Sequence, residues 1–313
     1  MNQVTANHSG ELRKHGDECP IPLHPENTIL APEYTFEPSF LKTDSGFWMH
    51  FVDRGEGSPV LMVHGNPTWS YMYRNLIRGL ESSHRCIVPD HIGCGRSQKP
   101  QDFPYLLENH IDNLEKLILT LDLRDITLVV HDWGGAIGVG TALRHPQRFR
   151  SLVAFNTSAF WMPRIPQRIN ICRAPIFGEI AIRGCNGFAL GALAMATAKP
   201  FSMPLEVMRG FVAPYDSWAN RIATLAFVRD IPMYAGHPSL STLRNVEEGV
   251  RVFSEKPSLV LWGMRDFCFD PTFLEEWARR LGPDRIIRFP DAGHYLLEDA
   301  REEAIGAIVD FIG

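Results

Sequence analysis

No run of lysine or arginine in this 313-residue chain exceeds two, and its 31 basic side chains are outnumbered by 36 acidic ones, for a formal charge of -5. Phosphate backbones need a basic face or stripe, so nucleic acid is not an expected partner. The longest strongly apolar stretch, residues 188–198, falls well short of the roughly 20 residues that cross a bilayer, and no membrane span is expected. The first residues are polar and hold no apolar signal-peptide core, so residues 1–32 read as a loosely ordered extension and cytoplasm as the expected compartment. The six cysteines (Cys19, Cys86, Cys94, Cys172, Cys185, Cys268) form no CxxC pair and no short ladder with histidine, which argues against a disulfide framework or a structural zinc. The twelve histidines include no HExxH, and neither metal nor cofactor is expected. Fixed-period repeats and low-complexity tracts are missing too, which sets solenoids aside.

What is present is apolar content of 45%, enough for a sizeable core. Strand-like runs rich in Val, Ile, Leu and Phe occur at 48–53, 59–64, 85–89, 126–131, 151–156, 258–262 and 285–289. Several are almost wholly apolar, as buried parallel strands are. Helical patterns at 71–80, 106–121, 136–145, 271–281 and 298–311 alternate with them, which predicts an α/β fold: a mostly parallel central sheet with helices on both faces. The rhythm breaks at 158–250, a strand-free, proline-punctuated stretch read as a helical cap insertion, leaving 33–157 and 251–313 as the core.

Ligands of open α/β sheets bind beyond the carboxyl ends of the strands, and three such ends carry polar residues. Residues 61–70 (LMVHGNPTWS) present Asn66, whose backbone amide is a candidate oxyanion donor, although an Asn-Pro turn explains the pair equally well. Residues 126–138 (ITLVVHDWGGAIG) have the strand, sharp turn and helix of a nucleophile elbow, with Asp132 where an esterase has serine. Residues 260–271 and 288–299 supply Asp266 and His294, so nucleophile, acid and histidine follow in the chain order of an α/β-hydrolase triad. Asp270 is a rival acid, although Pro271 marks it as a helix start. Gly93, Cys94, Gly95 and Ser97 lack the following Lys-Ser/Thr of a phosphate loop and read as structural.

On these residues the chain resembles the haloalkane dehalogenases of the α/β-hydrolase superfamily over roughly residues 34–312, through His64-Gly65-Asn66-Pro67, PDHIGCGRSQKP at 89–100, HDWGGAIG at 131–138, WGMRDFCF at 262–269 and DAGHY at 291–295. The resemblance implies Asp132 as nucleophile, His294 as base, Asp266 as its partner, and Asn66 with Trp133 as the halide-binding pair, whose backbone amides also hold the oxyanion. An acid after the late strand combined with the Asn-Trp pair looks like the third subfamily. That group is also similar to the β-lactone decarboxylases of bacterial long-chain olefin synthesis, toward which residues 213–232 lean.

A desolvated carboxylate attacks saturated carbon and forms an ester, which water can open at its carbonyl, whereas a serine ether would be a dead end. The expected activity is therefore hydrolytic displacement of halide from a small apolar haloalkane. The alternative is decarboxylation of a cis-3,4-dialkyl β-lactone to a cis-alkene by the same residues, since the donors for halide suit a lactone's departing carboxylate as well. Phe160, Trp161, Phe188, Met195 and Phe201 are expected in lid or core, and Tyr215 and Tyr234 raise the epoxide hydrolases, against which Asn66 counts. Residues 188–198 either roof the pocket or pack on another subunit as a homo-oligomer.

Overall fold

The computed structural model describes residues 10–14, 16–21 and 33–313; most of the 1–32 extension lies outside them. Nine strands form one sheet: β1 (Leu12–Arg13), β2 (Pro38–Lys42), β3 (Trp48–Arg54), β4 (Pro59–Val63), β5 (Arg85–Pro89), β6 (Ile126–Asp132), β7 (Phe149–Thr157), β8 (Ser258–Gly263) and β9 (Arg285–Phe289). Their order is β1-β2-β3-β5-β4-β6-β7-β8-β9, antiparallel from β1 to β5 and parallel from β5 onward. The seven strands anticipated from apolar runs are all there. The two additions lie at the antiparallel edge, and the pairing of Leu12 with Leu41 orders a piece of the extension expected to be loose.

Helices α1 (Arg74–Leu80), α2 (Leu107–Thr120) and α3 (Trp133–Arg144) precede β7, and α10 (Pro271–Leu281), α11 (Leu296–Asp299) and α12 (Arg301–Ile312) follow β8. Alternate residues of the buried strands feed two apolar layers: Leu61, Leu128 and Leu152 pack toward α2, α3 and α10, while Met62, Val129 and Val153 pack toward α1 and α12. This is the two-sided burial that near-continuous apolar strands require.

Between β7 and β8 the chain forms only helices: α4 (Gln167–Ile171), α5 (Pro175–Gly178) running into a π turn at Glu179–Gly184, α6 (Gly187–Met195), α7 (Leu205–Val212), α8 (Ile222–Arg229) and α9 (Leu240–Gly249). The last of these lies against α3 in the layer around the sheet, where a side chain on Gly140 would press on Val246. Among the described residues no helix is long and apolar enough to cross a membrane. The chain passes from β4 to β5 on one side and returns through β6 on the other, so strand order reverses at β4/β6, where a crevice opens at the carboxyl ends.

Candidate active site

Asp132 ends β6 and directly precedes α3 with φ 52° and ψ -126°, a conformation that costs a non-glycine residue on the order of 1–3 kcal/mol. Close packing maintains it. A Cβ on Gly65 would overlap the Asp132 carboxylate, one on Gly134 the Val63 carbonyl, and one on Gly135 the Thr157 hydroxyl. The Thr157 hydroxyl donates to the Asp132 carbonyl, and the Trp277 indole donates to the Thr157 carbonyl at 2.9 Å. The helix therefore begins at Trp133, three residues before the anticipated start, because this packing overrides the poor helix propensity of Gly134 and Gly135.

The two carboxylate oxygens of Asp132 have different surroundings. Oδ1 accepts the backbone N–H of Asn66 at 2.8 Å and Oδ2 stands 3.6 Å from Nε2 of His294, while the Trp133 backbone N–H also donates to the carboxylate. Burial raises the carboxyl above its ordinary value against the opposing pull of His294 and the two amides.

His294 Nδ1 donates to Asp266 Oδ2 at 2.8 Å. Burial opposes charge on the imidazole, but the Asp266 charge and hydrogen bond, with the Asp132 charge, outweigh it and raise its pKa. Asp266 is itself held: Oδ2 accepts Asn156 Nδ2 at 2.9 Å and Oδ1 accepts the Cys268 backbone N–H at 2.6 Å. The rival acid, Asp270, caps α10 by accepting from Thr272 N at 3.0 Å and pairs with Arg164 at 2.7 Å, so of the two acids Asp266 is the one bonded to His294.

Three supporting residues gave no distinct signal in the sequence. Asn156, a single polar residue closing the apolar run of β7, bonds Asp266 and accepts from the Gly263 backbone at 2.9 Å. His131 donates from Nε2 to the His294 carbonyl at 3.0 Å and lies under its ring with centroids 4.4 Å apart. Asp299 Oδ2 accepts Gly293 N at 2.7 Å and Ala198 N at 2.8 Å, tying the histidine loop to the end of α6.

Asp132, His294, Asn66 and Trp133 open onto one cavity of about 210 Å³, otherwise lined mainly by apolar side chains including Phe160, Trp161, Phe188 and Met195. Phe201 stays outside it and is 63% exposed. The Asn66 side chain donates from Nδ2 to the Thr224 carbonyl of α8 at 3.1 Å, so a roof helix fixes its orientation. Tyr215 is buried with its hydroxyl on the Thr68 carbonyl at 3.2 Å and Tyr234 is exposed; neither lines the cavity, which removes the lid tyrosines an epoxide hydrolase needs. The glycine loop after β5 wraps Asp90: Arg96 N donates to its carboxylate at 2.8 Å, and Ser97 to its carbonyl at 2.6 Å.

A family model described as the alpha/beta hydrolase fold matches residues 58–171. The chain is 44% identical over 283 residues to a cis-3-alkyl-4-alkyloxetan-2-one decarboxylase of Shewanella oneidensis, covering 88% of each chain. A protein of the same name from Xanthomonas campestris is 41% identical, over 91% of this chain and 98% of that one. Haloalkane dehalogenase 2 of Mycobacterium tuberculosis is 29% identical, over 90% of this chain and 96% of that one. The solved haloalkane dehalogenase DatA of Agrobacterium tumefaciens superimposes with a TM-score of 0.77 at 28% identity, over 88% of this chain and 96% of that one.

Proposed function

We propose, because the chain belongs to the α/β-hydrolase family that holds the cis-3-alkyl-4-alkyloxetan-2-one decarboxylases and the haloalkane dehalogenases, that it decarboxylates cis-3,4-dialkyl β-lactones to cis-alkenes. The decarboxylases, at 44% and 41% identity against 29% for a dehalogenase, support putting this reading first. The single geometric observation behind attack at saturated carbon is the unequal Asp132 carboxylate, with Oδ1 held by the Asn66 amide at 2.8 Å and Oδ2 facing His294 Nε2 across 3.6 Å.

In this reading Oδ2 attacks C4 of the lactone from behind, the C4–O1 bond breaks, and the ring oxygen leaves as a carboxylate. That carboxylate meets the Asn66 amide and the Trp133 indole, donors with no competing acceptor role at N–H. Inversion at C4 places the new ester bond anti to the bond from C3 to the carboxylate carbon. CO₂ then departs, its bonding electrons form the C3–C4 double bond, and Asp132 leaves as carboxylate. The two alkyl groups finish on one side, so a cis lactone gives a cis alkene. Water and protons are not consumed.

Dehalogenation is the second reading, favoured by the superposition on a haloalkane dehalogenase. Here Oδ2 displaces halide, neutral His294 removes a proton from water, and water attacks the ester carbonyl, whose oxyanion rests on the amides of Asn66 and Trp133. Asp266 holds the histidine tautomer and balances its charge.

Parallel turnover of a cis-3,4-dialkyloxetan-2-one and a 1-bromoalkane tests the order. Alkene release well above bromide release is expected. Alcohol and bromide without alkene would reverse it.

A further inference from the structure

Of the large apolar side chains exposed on the described surface, every one but Leu143 lies between residues 171 and 234. Ile176, 77% exposed, and Ile180 fall at i and i+4 where α5 continues into the π turn, and so share one face, with exposed Phe177 at its side. The adjoining α6 (GFALGALAM) has no polar side chain at all, yet Leu190 and Met195 on it are exposed. A surface helix normally keeps one polar face, and one that is apolar all round requires a cover.

The charge around this face is opposite to that of the chain. Residues 158–210 carry six basic side chains against two acidic ones, within a chain of net charge -5. Arg168, Lys199 and Arg209 are exposed and pair with no carboxylate among the described residues; Arg168 rests instead on Met195 Sδ at 3.3 Å and over the Phe267 ring at 4.9 Å. Met195 and Arg168 are exposed and also line the cavity, so the cavity reaches this apolar, basic face.

We propose that the face formed by α5, the π turn and α6 docks on a lipid bilayer bearing anionic headgroups, with the cavity mouth toward the lipid. Apolar side chains ringed by cations are the composition that seats a protein in the interface of such a membrane. A second copy fits less well, because a two-fold contact sets the same basic rim against itself. The inference rests on the lactone reading for what passes through the mouth: a dialkyl lactone and its alkene are both apolar, and a mouth at the bilayer lets them enter and leave without crossing water.

Flotation of the full chain with vesicles of phosphatidylcholine alone, and of phosphatidylcholine mixed with phosphatidylglycerol, tests it. Binding to the mixed vesicles that falls with added salt is expected. Lys199→Ala with Arg209→Ala lowers that partition by about tenfold, and Ile176→Asp with Ile180→Asp abolishes it. All these variants keep turnover of a short-chain, dispersed substrate, which shows that they fold. Equal partition into both compositions, or none, overturns the proposal. So does a concentration-dependent dimer lost in the Ile176→Asp, Ile180→Asp variant without any vesicle binding, which assigns the face to a second copy. A chain that floats as expected but makes no alkene supports the docking face and sinks the lactone reading alone.

Discussion

Oδ2 of Asp132 and Nε2 of His294 face each other across 3.6 Å, beyond a good hydrogen bond, while the partner oxygen Oδ1 is held at 2.8 Å by the Asn66 amide. The gap leaves Oδ2 available to a substrate carbon, with the imidazole beside it. Replacing Asp132 by Ala removes the attacking oxygen, and turnover of either substrate is expected to fall by about four orders of magnitude or more. Steady-state assays with lactone and bromoalkane check this; retained turnover would move the nucleophile elsewhere.

The two chemistries separate by pH. Water attack needs neutral His294, whose pKa is raised above 6.5 because Asp266 and Asp132 outweigh the cost of burial. Dehalogenation is therefore expected to decline as pH falls through a value above 6.5. Decarboxylation needs no water attack, so its rate should not carry the His294 limb, while both reactions need ionised Asp132, whose carboxyl burial raises above its ordinary value. Profiles of kcat against pH for both substrates, on one preparation, measure the separation.

Asn66 makes two contacts that mutation can divide. Its backbone N–H binds Asp132, and its side-chain amide, held by the Thr224 carbonyl, lines the cavity, where we propose that it meets the leaving anion. Asn66→Ala keeps the first and deletes the second, so kcat should fall about a hundredfold while KM changes little. A fall confined to KM would make the amide a binding group only.

Asp230 links α8 to the rest of the chain: its oxygens accept Leu107 N at 2.8 Å and Ser239 Oγ at 2.6 Å. Burial raises its pKa to about 7. Between the unfolded value and about 7 the folded state binds the extra proton, so stability from this group is complete at low pH and is lost as pH rises through about 7. The loss is at most about 4 kcal/mol. Asp230→Asn should flatten the fall of Tm over that range, as read by thermal melts at several pH values.

Asp132, Asp266 and Asn66 were legible because each ends or follows a strand that is otherwise apolar, where a polar group has no packing role, and His294 because it follows them in the chain order of a triad. Asn156 escaped notice because one asparagine at a strand end is ordinary; only the fold brings it to Asp266. Likewise the contact of His131 with His294 spans 163 residues, and no local pattern encodes it. The edge strands β1 and β2 were missed for a different reason. β1 is two residues long, too short for any apolar run, and β2 (PSFLK) breaks its apolar run with Ser39 and Lys42.

Intact mass of the His294→Phe variant after exposure to each substrate, with alkene measured in the same vials, tests most directly that Asp132 makes the first bond. With a 1-bromoalkane the account predicts bromide release and a stable alkyl adduct on Asp132, since the ester lacks its base. With a cis-3,4-dialkyl β-lactone it predicts continued alkene formation and no lasting adduct, since decarboxylation returns the carboxylate without water. An unmodified mass with the bromide and no alkene from the lactone would contradict it.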